Sequence, residues 1–125
     1  ISEATGGQLG FDMKDKDGNT PLHLAAANGY LQVVRAMFSK GAKMDLRNNE
    51  DLDIFGTALK GGNKCLKVIQ FLISKDIASV KVRYGSFKRT PLHCAVLGNS
   101  EMAMLALFDI IGSRKSKSLL NSNPP

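Results

Sequence analysis

The chain contains no unbroken apolar run of about 18 residues or more, so no segment is suited to cross a bilayer as a helix. Cysteine is scarce: Cys65 and Cys94 stand apart, with no C-x-x-C spacing and no histidine in a zinc-binding arrangement. Both read as free thiols, which points to a reducing compartment, the cytoplasm first and the nucleus second. A phosphate-cradling loop is missing too, because Gly61-Gly62-Asn63-Lys64 is too short to form one. No Ser or Cys is paired with a His and a carboxylate at a spacing that supports a nucleophile. The chain therefore reads as a non-enzyme, with no catalytic residue, cofactor or metal. It opens on Ile1-Ser2-Glu3, with neither a Met nor a charged-then-apolar leader, so a segment with neighbours missing at both ends is expected rather than a secretory precursor.

What is present suffices for a core: 125 residues, 43% of them apolar, are enough to bury one folded domain. The net charge of +6 is unevenly divided. Residues 1–59 carry six basic and eight acidic groups, a net of −2, whereas residues 60–125 carry eleven and three, a net of +8. Such asymmetry speaks of partners more than of fold, and the basic half favours acidic or phosphorylated ones.

The tetrad Thr20-Pro21-Leu22-His23 returns as Thr90-Pro91-Leu92-His93, 70 residues on. Two units of roughly 33 residues nearly fill that offset, so a degenerate copy is expected between the tetrads. Gly29 recurs as Gly62, and Leu31, Val33, Val34, Met37 and Phe38 recur as Leu66, Val68, Ile69, Leu72 and Ile73, two residues out of step. A two-residue insertion between helices accounts for the slip.

Each copy has a local mechanical logic. Thr20 caps a helix by accepting from a backbone N–H, and Pro21 stands at the first helical position, where its missing N–H costs nothing. Small residues at Ala25 and Ala26 let a second helix approach, Asn28-Gly29 turns the chain, and a second helix is expected from about Leu31 to Lys40, ended by Gly41. In the middle copy Asp53-Ile54-Phe55-Gly56 replaces the tetrad: the cap survives and the histidine does not. With Gly56, Gly61 and Gly62 each costing up to about 1 kcal/mol in a helix, this copy is expected to be the weakest. In the third copy one helix is expected over Pro91–Leu97 and a second from Ser100 to about Ile111, stopped by Gly112. Before it, Val80-Lys81-Val82-Arg83-Tyr84 alternates apolar and basic residues ahead of Gly85, the pattern of a short strand and turn.

These residues resemble the ankyrin repeat, with its β-turn finger, Thr-Pro-Leu-His tetrad, Ala-Ala, glycine turn, Val-Val helix and Gly-Ala ending. The resemblance implies an all-α solenoid of stacked helix-turn-helix pairs carrying β-hairpin fingers. The expected divisions are a remnant of a preceding repeat over 1–14, repeats over 15–48, 49–79 (degenerate) and 80–112 (with an extended finger), and a polar, disordered tail over 113–125. It also assigns Thr20, Pro21, His23, Thr90, Pro91 and His93 to structure, each imidazole bridging backbone groups of adjacent loops.

Function follows the same resemblance: a protein-interaction module, part of a larger multidomain protein, binding through finger tips and concave face. Its pattern puts partner contacts at Lys16, Asp17, Asn19, Ala27 and Asn28 in copy one, and at Asn49, Glu50, Leu52 and Lys60 in copy two. In copy three they fall at Ser86, Phe87, Arg89 and Leu97, with Lys81, Arg83 and Tyr84 on the incoming strand. Lys81, Arg83, Lys88 and Arg89 together suit an acidic or phosphorylated segment. The same basic residues interleaved with Tyr84 and Phe87 give the less favoured alternative of nucleic-acid binding. A module that regulates or positions an enzyme or channel is the third reading.

The run Met102 to Phe108 has no polar residue. Terminal repeats usually turn a polar face outward, so this helix is expected to be buried all round, with self-association through residues 100–111. The short basic stretch Arg114-Lys115-Ser116-Lys117 reads as a solvated tail.

Overall fold

In a computed structural model of the chain, the backbone is described for residues 10–77 and 81–122, and side chains as far as residue 112. Among the described residues six α-helices follow in order: α1 (Pro21–Ala27), α2 (Leu31–Ser39), α3 (Ile54–Lys60), α4 (Leu66–Ser74), α5 (Pro91–Leu97) and α6 (Glu101–Ser122). A 3-10 turn, Asn63–Cys65, precedes α4 and takes up the expected insertion. The first helices pack in one row, α1 on α3 and α3 on α5, and the second helices in another, α2 on α4 and α4 on α6.

The tetrads start their helices as the sequence requires. Thr20 accepts from the His23 backbone N–H while the His23 side chain reaches back to the Thr20 backbone, and Thr90 and His93 repeat the arrangement. Two otherwise orphaned donors are satisfied at each helix start, and a proline occupies the first turn. In α3 the Asp53 carboxylate takes over as cap, accepting from the Gly56 N–H at 3.0 Å.

Burial is concentrated in the middle of the stack, where every residue of α3 from Ile54 to Leu59 is buried. Each large apolar side chain so enclosed contributes about 1.5–3 kcal/mol. This burial weighs against the expectation of a weak middle repeat. Gly61 is the C-cap of α3 and Gly62, at φ 91°, lies in the turn beyond, so neither loosens a helix interior. A Cβ at Gly61 would come within 2.7 Å of the Ala27 carbonyl, and one at Gly98 would strike the Leu59 carbonyl. These glycines let each turn lie flush on the repeat before it.

Three further expectations are corrected. Among the described residues there is no β-strand: the third finger is closed by one bridge between Tyr84 and Arg89, and Val80 lies outside the described residues. Gly112 does not stop α6, whose helical backbone continues to Ser122 where an irregular tail was expected. A glycine costs a helix only about 1 kcal/mol, and the Arg and Lys residues that follow are good helix formers. Finally, α6 is not buried all round, because Ala103 and Leu107 face the core while Met102, Leu105 and Phe108 are exposed.

Candidate functional site

The joints between repeats position everything on the concave side. At the first joint His23 is fully buried: its Nδ1 receives the Thr20 backbone N–H at 3.2 Å and the Thr20 hydroxyl at 2.8 Å. Its Nε2 lies 2.9 Å from the Leu52 carbonyl at the base of the second finger. A carbonyl only accepts, so Nε2 carries the proton and Nδ1 the lone pair. Burial accordingly holds the His23 pKa below its ordinary value.

The second joint has no histidine to use. Gly56 stands where His23 stands in α1, and the Tyr84 ring of the third finger lies over the gap, its Cζ 3.0 Å from where a Gly56 Cβ would be. The Tyr84 hydroxyl donates to Asp53 Oδ1 at 2.8 Å, and Arg47 stacks 5.0 Å from the ring centroid. Burial, reinforced by the Asp53 carboxylate, pushes the Tyr84 pKa far up.

The fingers are zipped side by side. Asn49 donates from its backbone to the Asp17 carbonyl and from its side chain to the Lys16 carbonyl, both at 3.0 Å. Asn48 Nδ2 donates to Asn19 Oδ1 at 2.8 Å. On the far side Gly85 N–H donates to Asp51 Oδ2 at 2.8 Å and Arg47 to the Arg83 carbonyl at 3.1 Å. Tyr84 and Arg89 exchange both backbone hydrogen bonds, at 2.7 and 2.9 Å, leaving Ser86, Phe87 and Lys88 at the tip.

Between the second and third fingers, over α3 and α5, opens a cleft of about 490 Å³. Asn49, Glu50, Lys60, Phe87, Arg89 and Leu97 supply its walls, and the buried Leu52, Tyr84 and Cys94 lie beneath. A second cleft, between the first two fingers, shares Glu50, Leu52 and Lys60 with it, so the two form one groove across the first helices. The Glu50–Lys60 ion pair, at 3.7 Å, sits at their junction. On the third finger Arg89 stacks 5.0 Å from the centroid of the exposed Phe87 ring.

Of the expected contact residues, the groove gathers Asn19, Ala27, Asn49, Glu50, Lys60, Ser86, Phe87, Arg89 and Leu97. Lys16 and Asp17 stand exposed at the first fingertip, and Lys81, Arg83 and Lys88 on the third finger outside the cleft wall. Asn28 turns its amide back onto the Leu24 carbonyl at 2.8 Å. Leu52 and Tyr84 lie buried at the floor of the groove, one giving its carbonyl to His23, the other its hydroxyl to Asp53. His93 repeats the Thr90 half of the His23 arrangement but is exposed, so only its cap role matches the expectation of a bridge. Sequence reasoning overlooked Arg47, Asn48 and Asp51. Asn48 follows Asp15 by 33 residues, and each uses its side chain to accept from two backbone N–H groups of its finger, a period that was open to view.

No group of three or more His, Cys, Asp or Glu among the described residues could hold a metal ion, and no described helix is long and apolar enough to cross a membrane. Both cysteines are buried, and burial raises their pKa values.

Residues 17–49 match the ankyrin repeat family model. A segment of 71 residues, 55% of the chain, is 35% identical to an ankyrin repeat protein of fowlpox virus, covering 16% of it. Another of 84 residues, 67% of the chain, is 36% identical to a 26S proteasome regulatory subunit of Saccharomyces cerevisiae, covering 36% of it. Over 113 residues, 90% of the chain, it is 25% identical to a transient receptor potential cation channel homologue of Caenorhabditis elegans, covering 9% of that protein. The chain thus spans only a minor part of each relative's length. With two complete tetrads, the His23 bridge and these matches in hand, the chain belongs to the ankyrin-repeat family.

Proposed function

We propose that this chain binds a partner protein across its finger tips and concave groove, and that the third finger meets an acidic or phosphorylated segment of that partner. Ankyrin repeats are non-enzymatic modules of protein–protein interaction, and relatives occur within a channel and a proteasome subunit. The observation that carries the finer reading is the cleft of about 490 Å³ beside the third finger. It pairs an exposed aromatic, Phe87, with Arg89 and Lys60, the combination of anchor and cation that interface hot spots favour. Lys81, Arg83 and Lys88 extend the positive field around its rim, where charge acts chiefly on the rate of encounter. The setting proposed for this activity is the cytoplasm, within a larger protein.

A peptide-display selection against the chain tests this. Selected peptides should be enriched in Asp and Glu, and Lys88→Glu with Arg89→Glu should weaken them about tenfold or more, mainly through slower association. Peptides without acidic bias, or binding that ignores the double reversal at low salt, would refute the reading. Tighter binding of duplex DNA than of any peptide, with a steep salt dependence, would point to nucleic acid instead.

A further inference from the structure

We propose that Ser86, at the tip of the third finger, is a phosphorylation site for a serine kinase directed by basic residues, and that the phosphate closes the cleft to an acidic partner. The second half rests on the acidic-partner reading given above; the site itself does not. Of all serines and threonines in the chain, Ser86 alone has an arginine, Arg83, three residues before it, and Lys81 stands two residues further back. A kinase directed by basic residues holds such side chains in acidic pockets beside its catalytic cleft, as charge-assisted pairs that fix the register of the target hydroxyl. Phe87, directly after the serine, is 77% exposed and offers an apolar contact on the other side.

The fold leaves this hydroxyl available while engaging others. Thr20 and Thr90 cap helices, and Thr57, Ser74 and Ser100 donate to the carbonyls of Asp53, Phe71 and Leu59. Ser86 is exposed, and its hydroxyl makes no such bond among the described residues. The tip is also able to open, as a kinase that binds its target extended requires. Its turn is closed by the bond from the Lys88 N–H to the Gly85 carbonyl at 3.1 Å. Lys88 sits at φ 56°, the left-handed conformation that a side chain disfavours, so opening the turn relieves it. The buried Tyr84 ring and the Tyr84–Arg89 bridge keep the base of the finger in place below.

In the reaction the γ-phosphoryl group of ATP passes to Ser86. An Oγ–P bond forms, the bond from the γ-phosphorus to the bridging oxygen breaks, ADP leaves with that electron pair, and the hydroxyl proton goes to the kinase's catalytic base. The phosphoserine carries about −1.5 to −2 charges near neutral pH. From Lys81 to Arg89 the finger has four cations and no carboxylate, a net of +4 that falls to about +2. The cleft itself changes sign. Ser86 lines it together with two carboxylates, Glu50 and Asp51, and two cations, Lys60 and Arg89, a balance of zero that becomes about −2. The cations offered to an acidic segment are then countered from within the cleft, and a second anion meets repulsion.

The 125-residue chain, incubated with magnesium-ATP and a serine kinase selective for arginine three residues before its target, should gain a phosphoryl group at Ser86 by peptide mass mapping. Ser86→Ala should remove it. Arg83→Ala should slow it about tenfold or more with circular dichroism unchanged, because Arg83 gives its backbone carbonyl, not its side chain, to Arg47. The phosphorylated chain should bind a labelled poly-glutamate peptide about tenfold or more weakly than the unmodified chain. No incorporation at Ser86, incorporation confined to Ser116 or Ser118 of the basic tail, or a rate indifferent to Arg83→Ala would overturn the site. Incorporation at Ser86 with peptide binding undiminished would overturn the closing of the cleft. If the unmodified chain itself fails to bind the peptide, the acidic-partner reading falls and the closing of the cleft with it, while incorporation at Ser86 still upholds the site.

Discussion

The Tyr84 hydroxyl donates to Asp53 at 2.8 Å, so the carboxylate that caps α3 also anchors the third finger. The second repeat has lost the histidine that ties the first repeat to its neighbour, and the neighbour has supplied the tie from its own side. Gly56 makes this possible, since any side chain there would meet the tyrosine ring. Tyr84→Phe keeps the ring and removes the donor, leaving Asp53 with the Gly56 N–H. It should lower stability by about 1–2 kcal/mol in urea unfolding, whereas Tyr84→Ala, which also empties a buried ring site, should cost about 3–5 kcal/mol. Equal effects of the two variants would mean that the hydroxyl, not the ring, carries the joint.

His23 makes stability depend on pH in one direction. Protonating Nδ1 would set a donor against the Thr20 N–H, so the folded state holds the ring neutral with its pKa below the ordinary 6.5. The unfolded chain binds the proton first. The contribution of His23 is complete above pH 6.5 and is lost as pH falls from there toward the lowered folded value. His23→Gln should destabilise by about 1–3 kcal/mol near neutrality and flatten the loss of stability between about pH 7 and pH 5. An unchanged slope in the variant would remove His23 from the account.

Much of this was legible in the sequence because the repeat is written in local chemistry. Thr20-Pro21 and Thr90-Pro91 mark helix starts on their own, Asp53 does so without a tetrad, and the spacing of Val68, Ile69 and Leu72 fixes the face of α4. What stayed hidden depends on neighbours. Tyr84 looks like a surface aromatic until the absence of a side chain at Gly56, 28 residues earlier, gives it a place to lie. Gly61 and Gly98 look like weak points until the preceding repeat is brought against them. Leu52 matters through its carbonyl, which no side-chain pattern reveals. Gly112 misled in the other direction, because a single glycine weighs little against the helix formers around it.

The burial of α3 on both sides gives an exchange prediction opposite to the one its glycines suggest. Amides of residues 54–60 should be protected at least as well as those of residues 21–27, since opening α3 disrupts two joints and opening α1 only one of those described. Faster exchange in α3 under native conditions would restore the view of a weak middle repeat.

The thiols provide an independent check on packing. Cys65 and Cys94 are buried with raised pKa values, so a thiol-specific reagent at neutral pH should modify neither at an appreciable rate until the chain is unfolded, when both should react. Rapid modification of Cys94 in the folded chain would show that the floor of the groove is open.

The most direct measurement for the central claim is the footprint of a bound acidic peptide, taken from the display selection, by hydrogen exchange or NMR shift mapping. The account expects slowed exchange or shifts at 49–51 and 84–89 on the second and third fingers and around Lys60 and Leu97 in the groove, with α2 and α4 unaffected. A footprint confined to the outer row of second helices, α2, α4 and α6, would contradict it.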